Sequence, residues 1–159
     1  MIFVTVGSRR FPFDRLIRAV DAMAFELGLS KDEVFAQIGT SSYKPVGINY
    51  QEYLDRPAYE DNINRCDILV THAAAGSVIS GLHSRKRIIA VPRLQKFGEI
   101  IDNHQTELAA ALAAEGCLIY LEDPEGLTAA VREVLDRTFK PYECDGRKTI
   151  DLIRRSLGN

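Results

Sequence analysis

What this 159-residue chain lacks narrows its function before any motif is read. It has three cysteines, Cys66, Cys117 and Cys144, an odd number set far apart with neither metal-ligand nor C-x-x-C spacing. That excludes a disulfide framework and a structural zinc site, and fits reduced thiols. No run of basic residues is present and the formal net charge is −2, so nothing draws the chain electrostatically to nucleic acid or to an anionic membrane surface. No apolar stretch is long enough to span a bilayer. Met1 leads straight into the strand-like Ile2-Phe-Val-Thr-Val6 with no charged leader and apolar core, which predicts a cytoplasmic protein. G-x-x-x-x-G-K-[ST] is absent, no G-x-G-x-x-G follows the first strand, and there is no G-x-S-x-G. Their absence argues against a P-loop nucleotidase, a dinucleotide dehydrogenase and an α/β hydrolase.

What remains is a globular chain, 46% hydrophobic, whose length fits a single domain over residues 1–159. The apolar pattern predicts strands at Ile2–Val6, Val34–Ile38, Ile68–Val70, Arg87–Val91 and Cys117–Leu121, with a short one at Ile48–Leu54. Helices are expected over Phe13–Leu27 with Gly28 as stop, Ala58–Arg65 after Pro57, Ser77–Ser84, Thr106–Glu115 capped by Gly116, Pro124–Phe139 and Arg147–Leu157. Alternating strands and helices with short connections mean an α/β fold with a doubly wound parallel sheet. The polar, breaker-rich stretch Gly39-Thr-Ser-Ser-Tyr-Lys-Pro-Val-Gly47 is too long for a simple turn, and loops of that kind often carry function.

The chain is organised around Ile68 to Leu82, where a strand ends, small residues turn and a helix begins. Free N–H groups and the positive dipole end of that helix favour an anion, and methyl-sized side chains at Ala73 to Ala75 let a diphosphate reach the backbone. Small residues there also serve close packing alone. His72 shifts the balance, since a titratable ring at the carboxyl end of a strand lies where open α/β sheets bind ligands. Gly7 and Ser8 occupy the same position after the first strand, so the two turns are expected to converge on one ligand, with Arg9 and Arg10 as candidate added charge. Asp102, Asn103, His104 and Gln105 form a polar cluster before another helix. A helix cap explains one of these four residues, and the rest suit sugar hydroxyls, which both donate and accept. No Asp-x-Asp is present to bind a diphosphate through a cation, so the expected site is metal-independent and without cofactor, the charge being met by helix ends and basic side chains.

Val4-Thr-Val-Gly-Ser8 with Phe13-Asp-Arg-Leu-Ile17, Thr71-His-Ala-Ala-Ala-Gly-Ser77, Val91-Pro-Arg with Phe97-Gly-Glu, and Asp102-Asn-His-Gln105 with Glu107-Leu-Ala109 resemble the carboxy-terminal domain of family 28 glycosyltransferases. The likeness runs from residue 1 to about Gly116. The Pro-Arg…Phe-Gly-Glu form is similar to small bacterial exopolysaccharide subunits described as glucuronosyltransferases. The chain as a whole resembles the catalytic subunit of the eukaryotic two-subunit transferase that adds the second GlcNAc in N-glycan assembly.

That resemblance implies a Rossmann-like domain equivalent to the C-terminal half of a GT-B enzyme: the donor-binding subunit of a two-component inverting hexosyltransferase. It implies transfer from a UDP-sugar (UDP-glucuronate, UDP-glucose, UDP-galactose or UDP-GlcNAc) to a lipid-linked saccharide in polysaccharide biosynthesis. A membrane-anchored acceptor-binding subunit would recruit the chain peripherally, and nucleic acid has no part. By carry-over, Gly7 and Ser8 face the phosphates, His72, Ala73, Ala75, Gly76 and Ser77 hold the diphosphate, and Asp102, Asn103, His104 and chiefly Gln105 hold the sugar. Arg93, with Lys96, is expected to pair with a sugar carboxylate. His72 and His104 are the candidates for a catalytic base, which in full-length relatives comes from the acceptor domain. Two departures stand out: Ala74 occupies the middle glycine of the family turn, and Ser80 the position of a ribose-binding Glu. The alternative reading is a non-catalytic nucleotide-sugar-binding or regulatory subunit.

Overall fold

The computed structural model describes residues 1–101 and 107–142. Six strands among them form one all-parallel sheet: β1 (Ile2–Thr5), β2 (Val34–Gln37), β3 (Asn49–Gln51), β4 (Ile68–Thr71), β5 (Arg87–Ala90) and β6 (Ile119–Tyr120), in the order β3-β2-β1-β4-β5-β6. Five α-helices join them: α1 (Asp14–Glu26), α2 (Arg56–Arg65), α3 (Ala75–His83), α4 (Glu107–Ala114) and α5 (Leu127–Asp136). The doubly wound parallel sheet expected from the alternation is therefore present. Its strand order reverses between β1 and β4, the position at which such sheets open a crevice at their carboxyl edge.

Alternate strand residues supply two cores. Val4, Val70 and Ile89 pack with Phe13, Leu16, Ile17 and Val131, which belong to α1 and its approach and to α5. Phe3, Leu69 and Ile88 pack with Ile63, Val78, Leu108 and Leu112 of α2, α3 and α4 on the other face. Burial on both faces explains why the central strands read as continuous apolar runs. At Gly81 a Cβ would lie 2.6 Å from Leu69 and 2.9 Å from Ile88, so glycine there lets α3 sit close on the sheet.

Some boundaries differ from expectation. The β6 pairing reaches only Ile119–Tyr120, because β5 offers partners only at Ile89 and Ala90. The stretch from Pro124 is a 3₁₀ turn over Pro124–Gly126, whose start is capped by Asp123, followed by α5; that helix stops at Arg137, where the backbone becomes extended. Helix α3 opens at Ala75, two residues before Ser77, with Ala74 as an extended N-cap that offers no side-chain cap. The expected helix Arg147–Leu157 lies outside the described residues.

The Gly39–Gly47 loop is fastened to α1. Asp14 Oδ1 accepts from the backbone N–H groups of Ser42 (2.7 Å) and Tyr43 (3.1 Å). Asp21 accepts from the Tyr43 hydroxyl (2.6 Å) and from the N–H groups of Val46 (3.2 Å) and Gly47 (2.8 Å). Burial acts to raise the Asp21 pKa, but these three hydrogen bonds outweigh it and hold the carboxyl below its ordinary value. The loop is thus a folded strap beside β2.

Candidate functional site

The two small-residue turns meet at the β1/β4 switch point. The backbone N–H of His72, just past β4, donates to the Thr5 carbonyl at 3.2 Å, and the ring Nδ1 lies 3.2 Å from the same oxygen. A carbonyl only accepts, so Nδ1 carries the ring proton and Nε2 keeps its lone pair. Gly7, at φ +75°, lies under this ring: a Cβ on Gly7 would be 2.7 Å from both Cε1 and Nε2. Its N–H donates to Thr5 Oγ1 at 3.2 Å and its carbonyl accepts from Gln37 Nε2 at 3.2 Å. Glycine is needed here for its φ and for the imidazole it leaves room for.

Ala73 turns the chain into the helix at φ +62°, a left-handed conformation that a non-glycine residue adopts at some strain. Ala74, where the family turn has glycine, sits at an ordinary extended φ of −72°, so its methyl is accommodated. The strained residue is the neighbour before it. In α3 the intrahelical bonds begin with Val78 N–H to Ala74 O at 3.1 Å, leaving the N–H groups of Ala75, Gly76 and Ser77 without a partner among the described residues, the open end of the helix. A Cβ at Gly76 would meet nothing within 4 Å among the described residues. Tyr59 of α2 lies beside Ser77 and Thr5, and burial raises its phenol pKa.

His72 keeps part of its surface open, yet the protein holds it neutral. Burial of the ring is the largest cause, followed by the cations Arg93 and Arg9, and together they lower its pKa to about 4 against the support of the Thr5 carbonyl. At neutral pH the ring is a neutral hydrogen-bond acceptor beside the open helix end. An imidazole that weakly basic is also a poor general base.

Arg93 is not the outward-facing cation expected of it. It is buried, with 3% of its surface exposed, and its guanidinium is spent on backbone carbonyls. Nη1 donates to Phe11 O (2.6 Å), Pro12 O (3.1 Å) and Glu99 O (3.2 Å), and Nη2 to Val6 O (2.7 Å). The plane also lies over the Phe13 ring, 5.0 Å from its centroid. Burial lowers its pKa to about 10, which still leaves it charged. Four carbonyls and an aromatic face surround Nη1 and Nη2, and Nε, although without a partner among the described residues, is buried, so a sugar carboxylate has no exposed donor to meet. Beside it Glu99, equally buried, accepts from Arg15 Nε and Nη2 at 3.0 Å each and from Leu94 N–H at 2.9 Å. Pro-Arg…Phe-Gly-Glu is therefore a clamp binding the Pro92–Glu99 segment to the loop after β1 and to α1. Gly98 makes it possible by taking φ +68°.

Of the other expected residues, Ser8 is exposed next to Gly7, and Lys96 is exposed with its ammonium 5.1 Å from the Phe97 ring centroid. Ser80 lies within α3. His83 stands at the far end of that helix, against Tyr142. Asp102, Asn103, His104 and Gln105 lie outside the described residues. A groove of about 660 Å³ runs between α1 and the Pro124 turn, lined by Arg15, Arg18, Phe97 and Thr128, and contains none of the residues at the carboxyl edge. Among the described residues no group of three His, Cys, Asp or Glu side chains gathers to hold a metal ion.

Fold and edge together define a doubly wound domain of the kind that forms the C-terminal half of GT-B glycosyltransferases. The chain belongs to glycosyltransferase family 28, whose C-terminal domain matches residues 1–150. It is 32% identical over 127 residues to the human UDP-N-acetylglucosamine transferase subunit ALG13, covering 75% of this chain and 11% of that protein. It is 26% identical over 100 residues to the Prochlorococcus marinus (strain AS9601) UDP-N-acetylglucosamine–N-acetylmuramyl-(pentapeptide) pyrophosphoryl-undecaprenol N-acetylglucosamine transferase, covering 61% of this chain and 26% of that one. The chain thus spans about a tenth to a third of the curated relatives it matches. In structure it resembles the NMR solution structure of ALG13, with TM-score 0.64 and 15% identity over 96% of this chain and 93% of that one. It also resembles the crystal structure of Acinetobacter baumannii MurG, with TM-score 0.57 and 17% identity over 98% and 45%.

Proposed function

We propose that this chain is the donor-binding subunit of a glycosyltransferase, taking a UDP-sugar at the edge formed by Gly7, His72 and the first turn of α3. The observation that carries the reading is the meeting of two small-residue turns at the switch point, with three N–H groups of α3 that have no partner among the described residues. Relatives named as UDP-N-acetylglucosamine transferases, and a structural neighbour complexed with UDP, support a uridine diphosphate leaving group. Helix N–H groups and basic side chains meet the diphosphate charge, so transfer should proceed in EDTA. The donor is a UDP-hexose. With Arg93 turned inward, Lys96 alone of the two expected side chains remains to favour UDP-glucuronate. Gln105 and its neighbours hold the sugar.

The acceptor is a lipid-linked saccharide of polysaccharide assembly, presented by a separate membrane-anchored polypeptide that recruits this chain from the cytoplasm. The name of the human relative, a UDP-N-acetylglucosamine transferase subunit, supports a partner. Co-expression with the acceptor-binding protein, followed by a screen of UDP-sugars against membrane lipid extract, tests this. Transfer that needs both polypeptides supports it, and robust transfer by the single chain overturns the division of labour. UDP-sugar binding without transfer in the complete pair would favour the regulatory reading.

A further inference from the structure

Resting on the donor-site reading, we propose that binding of the UDP-sugar diphosphate draws one proton onto Nε2 of His72, making donor binding by this chain proton-coupled. The geometry requires a proton from somewhere. Nδ1–H is committed to the Thr5 carbonyl, which fixes the tautomer and leaves Nε2 as a bare acceptor. That nitrogen sits against Gly7, where the phosphates are placed, and has no partner among the described residues. A phosphate oxygen is also purely an acceptor. Two lone pairs cannot share a hydrogen bond, so contact between them needs a proton from solvent.

The surroundings explain why the proton is missing before the ligand comes. Among the described residues, the groups acting on the ring are the Thr5 carbonyl from β1, Arg9 from the loop after β1 and Arg93 from the segment after β5. Helix α3 brings no charged residue between Ala75 and Leu82, and the Tyr59 phenol from α2 is held neutral by burial. Two cations and burial keep the imidazole uncharged. A diphosphate reverses the sign of the local field, and an anion within hydrogen-bond distance favours the imidazolium. The charged ring then donates to the phosphate through Nε2–H, a stronger bond than a neutral donor makes.

The coupling has a direct readout. UDP-glucose is used as probe because its diphosphate, unlike that of free UDP, has no proton to lose near neutrality. Calorimetric titrations at about pH 6 in Pipes and in imidazole, buffers of different ionisation enthalpy, should give apparent enthalpies whose difference corresponds to nearly one proton taken up per site. The affinity should fall as pH rises, by up to tenfold per unit, until the bound ring loses its proton. In His72→Gln, whose amide brings its own donor, uptake should vanish and the pH slope flatten. As a check that needs no variant, the His72 Cε1–H resonance should move to the imidazolium position on saturation. Tight binding with no proton uptake, or uptake unchanged in His72→Gln, overturns the coupling and leaves the donor site standing. Absence of UDP-glucose binding with or without the partner overturns the donor site, and the coupling with it.

Discussion

Replacing Arg93 by lysine keeps the charge and removes the planar fork, which isolates what the guanidinium does. In the native chain Nη1 and Nη2 serve the carbonyls of Phe11, Pro12, Glu99 and Val6. An ammonium is a single point with three donors and cannot span that set, so about two charge-assisted bonds are lost and their carbonyls stay buried. At about 1.5 to 3 kcal/mol for each hydrogen bond to a charged group, with partial relaxation, the loss should be about 3 kcal/mol. That is a large part of the roughly 5 to 15 kcal/mol of a typical domain. Urea denaturation should show the midpoint fall by about 1 to 3 M, given slopes of about 1 to 3 kcal/mol per M. Because the loop after β1 carries Gly7, UDP-glucose and UDP-glucuronate should weaken together. An unchanged midpoint would refute the clamp, and a selective loss of UDP-glucuronate would restore Arg93 to the sugar.

Other perturbations probe the same framework. Glu99→Gln should destabilise the fold by about 2 to 3 kcal/mol, less than a fully buried pair because Arg15 keeps some solvent, and should couple by more than about 1 kcal/mol to Arg15→Met in a double-mutant cycle; additive effects would contradict the pairing. Gly7→Ala should lose about 1 to 2 kcal/mol from its positive φ alone and displace the His72 ring, reducing UDP-sugar affinity at least tenfold, as calorimetry would register. Asp21 has a depressed folded-state pKa, so its contribution is complete above its unfolded value near pH 4 and is lost as pH falls through the folded value. Asp21→Asn should therefore flatten the acid limb of the stability profile, and an identical limb in the variant would show that the strap does not depend on this carboxylate.

Much of the architecture was legible because apolar period and punctuation report local choices. The runs Ile2–Val6 and Ile68–Val70 are buried on both faces, and Gly28 stops α1 at φ +65°. The convergence of Gly7 with His72 was legible too, since both follow parallel strands at one edge. What escaped depends on partners far apart in sequence. The helix expected to open at Ser77 opens at Ala75, with Ala74 as an N-cap that offers no side-chain bond. Arg93 reads as a loop cation because nothing near it reveals carbonyls more than 80 residues earlier. The recurrence of Pro-Arg with Phe-Gly-Glu was the available sign: a glycine before an acid after an arginine suits a turn that brings opposite charges together. Ala74 stands at the family's middle glycine, but the left-handed residue is Ala73.

The central claim is that a UDP-sugar lies across the first turn of α3, and Gly76 tests it most directly because a Cβ there meets nothing within 4 Å among the described residues. Gly76→Leu should fold with unchanged or slightly raised stability, since glycine in a helix is about 1 kcal/mol worse than a good helix former. Its methyl groups would fill the place of the diphosphate. Calorimetric titration of wild type and Gly76→Leu with UDP-glucose, alongside a thermal melt of each, should show binding in the first, none in the second, and melting points that do not fall. A Gly76→Leu protein that melts like wild type and binds UDP-glucose with undiminished affinity would place the donor elsewhere.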